Sequence, residues 1–466
     1  MMTLQQAHDG VAAGQIPVVL VGDGRVPVYR VHTDTRTLRS GDLFVALKGE
    51  NFDAHDFLAE ARASGATAAI AHHGLSSAGL PGLEVSDSKL ALGQLASSWR
   101  SQFDLPLIAV AGSNGKTTVT QMIASILRAW KQDAAFSTEG NFNNDIGVPL
   151  TLLRLTPAHQ IGVVELGMNH PGEIAYLAGL TRPAIALVNN AQREHLEFMA
   201  TVEAVAVENG SVIDALDAQG VAVFPADDTY TAVWRKIAGK RTVLTFALES
   251  PADITADARW VGNSWRVQAA TPAGPVEFTL TIAGRHNVKN ALAAMACALA
   301  AGSPLASIAA GLTAFMPVKG RSRAAQVTVE GHMLNLIDDT YNANPDSMRA
   351  AIDVLAGLPG PRLLVMGDMG EVGSQGPQFH EEAGQLARAQ GIDKLFTLGT
   401  QSARAASSFG QGLHFDDMAG LNAAVLAELP QLGSVLVKGS RFMKMERVVQ
   451  AITAAESPYP EASHAP

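Results

Sequence analysis

The stretch from residue 107 to residue 131 constrains the fold more than any other part of this chain. Four apolar residues, Leu107-Ile108-Ala109-Val110, run into Ala111-Gly112-Ser113-Asn114-Gly115-Lys116-Thr117-Thr118, and a helical pattern follows over 119–131. A short unbroken apolar run is how a strand covered on both faces of a parallel sheet reads. The glycines let the backbone curl so that successive N–H groups converge on one anion, and the helix start behind them adds positive potential. Lys116 is placed to reach the β- and γ-phosphates of a nucleotide, and the Thr117 hydroxyl to ligate Mg²⁺. The general phosphate loop carries a further glycine five residues before Gly115, where this chain has Val110, so the loop is a shorter variant. The strand before it and the helix after it supply the context, and the loop implies an enzyme that consumes ATP.

The alternation of strand and helix continues on both sides of the loop. Apolar runs at 161–164, 184–188 and 221–224, with helical patterns between them, predict a doubly wound parallel sheet. A second set of strands at 334–337, 362–366, 394–398 and 434–437 alternates with helices over 347–358, 378–389 and 443–454. Before the loop, short strands at 43–47 and 68–71 flank a helix over 54–64. The chain is therefore an α/β protein of three domains, bounded at 1–103, 104–317 and 318–466. The tail, 456–466, is rich in Pro, Ser and Ala and is expected to fray.

Phosphoryl chemistry needs cations bridging phosphate oxygens, so oxygen and imidazole ligands are expected at strand ends facing the loop. Glu165 follows the run 161–164 directly, and an isolated buried Glu there would be costly without a cation. His195 follows the strand ending at Val188 after a polar loop, Asn189-Asn190-Ala191-Gln192-Arg193-Glu194. Asn141, Asn143 and Asn144 cluster in another loop, where turn formation and ligand contact are equally good readings.

Composition excludes several other classes. Apolar residues make up 47% and charged residues 17%, an ordinary globular balance, and the net charge of −10 with no basic run argues against nucleic-acid binding. The one cysteine, Cys297, lies in an apolar run and reads as a buried helix residue rather than a nucleophile. A chain with one cysteine, no basic leader and no apolar run long enough to span a bilayer is expected in the cytoplasm, without a membrane span, as a monomer.

These motifs together resemble the Mur ligases of peptidoglycan synthesis, which share their plan with folylpolyglutamate synthetase. The resemblance covers nearly the whole chain. Thr33-Asp34-Thr35-Arg36 and Gly41-Asp42-Leu43-Phe44-Val45-Ala46-Leu47-Lys48-Gly49 resemble the family's UDP-substrate domain. Residues 112–118 resemble its phosphate loop, Glu165-Leu166-Gly167-Met168 its acidic strand end, and Gly284-Arg285-His286-Asn287-Val288-Lys289-Asn290-Ala291 its ATP-side helix. The runs Gly140-Asn141-Phe142-Asn143-Asn144-Asp145-Ile146-Gly147-Val148-Pro149, Asp338-Asp339-Thr340-Tyr341-Asn342-Ala343-Asn344-Pro345 and Met366-Gly367-Asp368-Met369-Gly370-Glu371 resemble the branch that adds a dipeptide rather than one amino acid.

The resemblance implies an N-terminal UDP-substrate domain, a central ATP-binding domain and a C-terminal Rossmann-like domain. It implies ATP, Mg²⁺, UDP-N-acetylmuramoyl-tripeptide and D-Ala-D-Ala as the molecules that meet between them. By the same resemblance Gly112, Ser113, Asn114, Gly115, Lys116, Thr117 and Thr118 hold phosphate, with Lys116 on the γ-phosphate. Thr117 and Glu165 would hold a first Mg²⁺ and His195 a second. Asn287 and Asn290 match the adenine side and Asp339 the ribose contact. Arg321 or Arg323 would approach the γ-phosphate, and Thr35, Arg36, Lys48, Asn141, Asn144, Asn342 and Asn344 would line the substrate side.

One departure stands out. Family members carry, shortly after the histidine, a lysine that is carbamylated to support the second metal, and here Asn209 falls at that place. No lysine lies between Val188 and Trp234, and Glu208 could substitute only from a rotated helix. The chain is expected to work without carbamylation. The competing readings are a sister ligase that adds one amino acid, a folate-type ligase, and a nucleotide-switched binding protein. The UDP-like N-terminal run opposes the folate reading, and a guanine-reading motif is not found. Diaminopimelate and lysine remain equal choices for the third residue of the tripeptide.

Overall fold

The computed structural model describes residues 1–49, 52–262 and 264–456; apart from Glu456, the tail expected to fray lies outside these. Three large sheets follow one another along the chain. The first has the order Val18–Val21, Gly82–Val85, Ala66–Ala71, Asp42–Val45, Arg30–His32, all parallel except its first pair. The helix expected over 54–64 is a 3₁₀ turn, Ala54–Phe57, capped by Asp53 and followed by the short helix Leu58–Ala63.

The central sheet is fully parallel, in the order Thr242–Phe246, Val221–Pro225, Ile185–Val188, Leu107–Ala111, Ile161–Glu165, Ala135–Ser137. Alternate residues of its middle strand enter different cores. Leu107, Ala109 and Ala111 pack with Leu43, Ile70, Val164 and Phe224, so the N-terminal unit shares this core. Ile108 and Val110 pack with Val119, Met122, Ile123 and the helix Arg285–Ala300 on the opposite face. Both faces are thus covered, which is why the strand reads as unbroken apolar sequence. Cys297 sits fully buried in that second core, and burial pushes its thiol pKa up, as a structural cysteine requires.

Three strands absent from the expectation, Thr255–Val261, Ser264–Thr271 and Gly274–Leu280, form an antiparallel meander against the same core. Their inward residues, Val267, Ala269, Val276 and Phe278, alternate with exposed Arg266, Gln268 and Glu277, the period-two signature of a half-buried sheet.

The third sheet runs Arg323–Val329, His332–Asp339, Ser434–Lys438, Arg362–Gly367, Lys394–Leu398, Leu413–Phe415. Only its first pair is antiparallel, joined through Glu330 and Gly331, both at positive φ, as a tight hairpin demands. The helix expected over 347–358 begins earlier, at Pro345, because Asn344 and Ser347 form a reciprocal capping box. The helix expected over 443–454 begins later, at Glu446, behind the 3₁₀ turn Arg441–Met443.

Candidate active site

The phosphate loop leaves the middle strand of the central sheet, where the chain order reverses from one side to the other. A crevice forms outside the carboxyl ends of the strands at such a point. Here it opens into a cavity of about 850 Å³, lined from the central unit by Lys116, Glu165, Glu194, His195 and Asn290, and from the C-terminal unit by Arg321, Asp339 and Asn344 among others.

The loop itself is fixed by side chains from three neighbouring elements. Gly112 has φ of +129°, and a Cβ there would meet the Asn189 backbone nitrogen at 2.9 Å. The Gly112 N–H donates to Asn209 Oδ1 at 2.8 Å, and the Asn114 N–H to Asn190 Oδ1 at 2.8 Å. Asn189 and Asn190 each return an amide N–H to the Asn114 carbonyl, at 2.8 and 2.9 Å. Asn189 also reaches Asn290 Oδ1 at 3.0 Å, and Asn290 donates to Asn287 Oδ1 at 2.9 Å. The two asparagines of the helix Arg285–Ala300 therefore sit behind the loop in one amide network. Across the cleft, Asn344 donates to Asn114 Oδ1 at 2.9 Å, tying the phosphate loop to the C-terminal unit.

Lys116 is folded back on its own loop. Its Nζ donates to the carbonyls of Gly112 (2.6 Å) and Ser113 (3.0 Å) and lies 3.3 Å from Glu194 Oε2. Thr117 Oγ1 donates to Glu165 Oε1 at 3.0 Å, and Asn143 Nδ2 to the same oxygen at 2.8 Å. Glu165 is 1% exposed, and its Oε2 is buried with no hydrogen-bond partner. An orphaned carboxylate oxygen beside a threonine hydroxyl is an environment that a hard divalent cation completes, so the residues fit a first Mg²⁺ site.

His195 takes a left-handed φ of 49°, which costs a non-glycine residue roughly 1–2 kcal/mol. Its Nδ1 lies 2.7 Å from Glu371 Oε2, and its Nε2 lies 3.9 Å from Glu194 Oε2. The His195 imidazole beside it holds the Glu371 carboxyl below its ordinary pKa against the opposing effect of burial. The alternative ligand at 208 is ruled out by its own contacts. Glu208 accepts from the N–H groups of Gly172 (2.9 Å) and Ile174 (2.8 Å), where it serves the start of the helix Glu173–Thr181.

The remaining expected residues divide into two groups. Thr118, Asn141, Asn144, Asn287, Arg321, Asp339, Asn342 and Asn344 line the cleft. Arg321 stacks on the Tyr341 ring at 4.0 Å, whereas Arg323 lies at the exposed start of the strand Arg323–Val329 and is not on the cleft wall. Asn144 also accepts from the Gly147 N–H at 2.8 Å, just before the helix Gly147–Leu152. Asp339 accepts from the Ser322 N–H at 2.9 Å and from Lys438 Nζ at 2.6 Å. Thr35, Arg36 and Lys48 lie on the N-terminal unit away from the cleft wall, with Arg36 paired to Asp34 at 2.7 Å and Lys48 to Asp53 at 3.4 Å.

Sequence reasoning passed over Asn189, Asn190, Glu194, Glu371 and Lys438. The first three lie in the polar loop before His195, where the end of a buried strand next to a phosphate loop was the available signal.

The chain matches the Mur ligase family, catalytic domain, over residues 27–100. It matches the Mur ligase middle domain over 110–298 and the Mur ligase, glutamate ligase domain, over 323–441. The UDP-N-acetylmuramoyl-tripeptide–D-alanyl-D-alanine ligase of Escherichia coli is 42% identical over 451 residues, 95% of this chain and 98% of the relative. The enzyme of the same name from Bacillus subtilis is 32% identical over 92% of this chain and 94% of its own length. Among solved structures, MurF from Acinetobacter baumannii superposes with a TM-score of 0.89 at 36% identity, covering 97% of this chain and 99% of that one. MurF ligase from Thermotoga maritima in complex with ADP gives 0.81 at 27% identity, covering 92% and 98%.

Proposed function

The chain belongs to the Mur ligase family, and on that premise we propose that it joins D-Ala-D-Ala to the terminal carboxylate of UDP-N-acetylmuramoyl-tripeptide at the expense of ATP, in peptidoglycan precursor synthesis. The observation that carries the chemistry is the meeting of the phosphate loop, the orphaned Glu165 carboxylate and the cleft face of the C-terminal unit around one cavity. A cytoplasmic setting fits a chain in which, among the described residues, no helix is long and apolar enough to cross a membrane. The three-domain division at 103/104 and 317/318 is supported by the three large sheets, one of which falls in each part.

A carboxylate is unreactive toward an amine because its oxygen is a poor leaving group. In the proposed reaction a tripeptide carboxylate oxygen attacks the γ-phosphorus, the bond to the β-phosphate oxygen breaks, and ADP departs from an acyl phosphate. The free amine of the dipeptide then attacks the acyl carbon, loses its proton, and inorganic phosphate leaves with the electron pair of the broken C–O bond. The protein's part is positioning and neutralisation of charge. Lys116, released from the Gly112 and Ser113 carbonyls, swings to the β- and γ-phosphates. Loop N–H groups cradle the phosphates, and Arg321 faces them from the C-terminal unit. Asn287 and Asn290 flank the base, Asp339 the ribose, and the Asn141–Asn144 and Asn342–Asn344 loops the peptide ends. Thr35, Arg36 and Lys48 are assigned to the uridine diphosphate. Mg²⁺ held by Thr117 and Glu165 would neutralise charge building on the phosphate oxygens.

Phosphate release measured with the nucleotide tripeptide, with and without D-Ala-D-Ala, tests this reading. Sustained release that requires the dipeptide is expected; equal release without it would point to a nucleotide-driven switch instead. Mass analysis of the product from each nucleotide tripeptide identifies the accepted third residue.

A further inference from the structure

Position 209, where the family resemblance led to the expectation of a carbamylated lysine, cannot supply a negative charge here. Asn209 is neutral, 1% exposed, and its Oδ1 is committed to the Gly112 N–H. Both oxygens of the neighbouring Glu208 are committed to a helix start. A different carboxylate occupies the space between the phosphate loop and His195. Glu194 is 6% exposed, lines the cleft, and has one oxygen, Oε1, buried without a partner. Its other oxygen faces Lys116 Nζ at 3.3 Å and His195 Nε2 at 3.9 Å.

Those contacts fix what happens when nucleotide enters. Lys116 is the only cationic partner of Glu194 among the described ion pairs apart from His195. To meet the phosphates it must leave Glu194, and a buried carboxylate that loses its partner is strongly destabilised. Glu371 lies on the far side of His195, its Oε2 2.7 Å from Nδ1, so Nε2 is the ring atom that faces Glu194. The separation of 3.9 Å between that nitrogen and Glu194 Oε2 is too long for a hydrogen bond. It is short enough for both atoms to reach one ion between them.

We propose that Glu194 is the chain's own replacement for the carbamylated lysine: nucleotide draws Lys116 off Glu194, and a second divalent cation takes the lysine's place between Glu194, His195 and the phosphates. The exchange keeps a cation at the carboxylate, a divalent ion arriving as the ammonium leaves, and it needs no carbon dioxide adduct. The inference rests on the nucleotide reading of the cleft.

Mn²⁺ binding to the full chain tests it, followed by the electron paramagnetic resonance signal of free Mn²⁺ in bicarbonate-free buffer with a non-hydrolysable ATP analogue. Wild-type protein is expected to take up two Mn²⁺ per nucleotide complex, with no change on adding bicarbonate and no carboxylated lysine in the intact mass. Glu194→Gln is expected to keep the first and bind the second at least about ten-fold more weakly, and Glu194→Asp, which keeps the charge but shortens its reach, to fall between. Thermal melting of both variants establishes that they are folded, and Glu194→Asp carries the comparison if Glu194→Gln is not. A second Mn²⁺ bound equally by wild type and folded Glu194→Gln, a wild type that takes only one, or a second site that appears only with bicarbonate would overturn the role of Glu194. A wild type that binds neither analogue nor Mn²⁺ would instead overturn the nucleotide reading.

Discussion

The side-chain oxygen of Asn209 accepts the backbone N–H of Gly112 at 2.8 Å, joining the helix Val202–Asp214 to the first turn of the phosphate loop. The contact gives Asn209 a part in shaping the loop. Asn209→Ala leaves that N–H buried and unpaired, a loss of about 1–3 kcal/mol. A lower melting temperature and a raised KM for ATP are expected, with the KM for dipeptide changed less. An unchanged melting curve and ATP KM would show that the loop keeps its shape without the bond.

Lys116→Ala should fold and lose turnover. The lysine is held by two loop carbonyls and Glu194, contacts that water can replace. On phosphate it has no such substitute, and loss of one preorganised charge costs roughly 10²–10³ in rate. Circular dichroism and dipeptide-dependent phosphate release check the two halves. Near-normal product formation would remove the loop from the chemistry.

Arg193 clasps the central and C-terminal units together beside the site. Its guanidinium donates to Asp346 Oδ1 at 2.7 Å and Glu382 Oε2 at 3.1 Å, and it stacks over the Phe379 ring at 5.1 Å. Hydrogen bonds to charged groups are each worth about 1.5–3 kcal/mol. Arg193→Ala is expected to loosen the contact between the two units, giving a larger radius of gyration by X-ray scattering and roughly a ten-fold loss of kcat/KM, about 1.4 kcal/mol. Identical scattering and activity would mean that Asn114 and Asn344 suffice.

What was legible in the sequence was whatever is written locally. The strand, glycines and lysine of the phosphate loop are adjacent in the chain, so their joint geometry follows from neighbours alone. Glu165 and His195 were legible because each follows a buried strand whose end must face that loop. Glu194 was not, since a glutamate in a polar loop reads as solvated until folding covers it. The meander from Thr255 to Leu280 was passed over because small Ala269 on its inner face and apolar Ala270 and Pro275 on its outer face blur the alternation in the sequence. Asn209 was read as a missing lysine, whereas its partner is a backbone N–H 97 residues away in sequence.

The Asp339–Lys438 pair makes the C-terminal unit acid-sensitive. Burial opposes ionisation of Asp339, but the charge and hydrogen bond of Lys438, with the Ser322 N–H, hold its pKa below the ordinary 3.8. A depressed carboxylate contributes stability that is present above its unfolded pKa and disappears as pH falls through the folded value. Wild-type protein should therefore lose stability as pH drops below about 4, and Asp339→Asn should lose less over that interval. At neutral pH the variant leaves Lys438, 3% exposed, without its carboxylate. Removing one partner of a buried pair typically costs roughly 3–5 kcal/mol. Melting temperatures of both proteins between pH 3 and pH 7 measure the two effects together. The curves should lie far apart at neutral pH and converge in acid; parallel curves would mean that Asp339 titrates alike in the folded and unfolded chains.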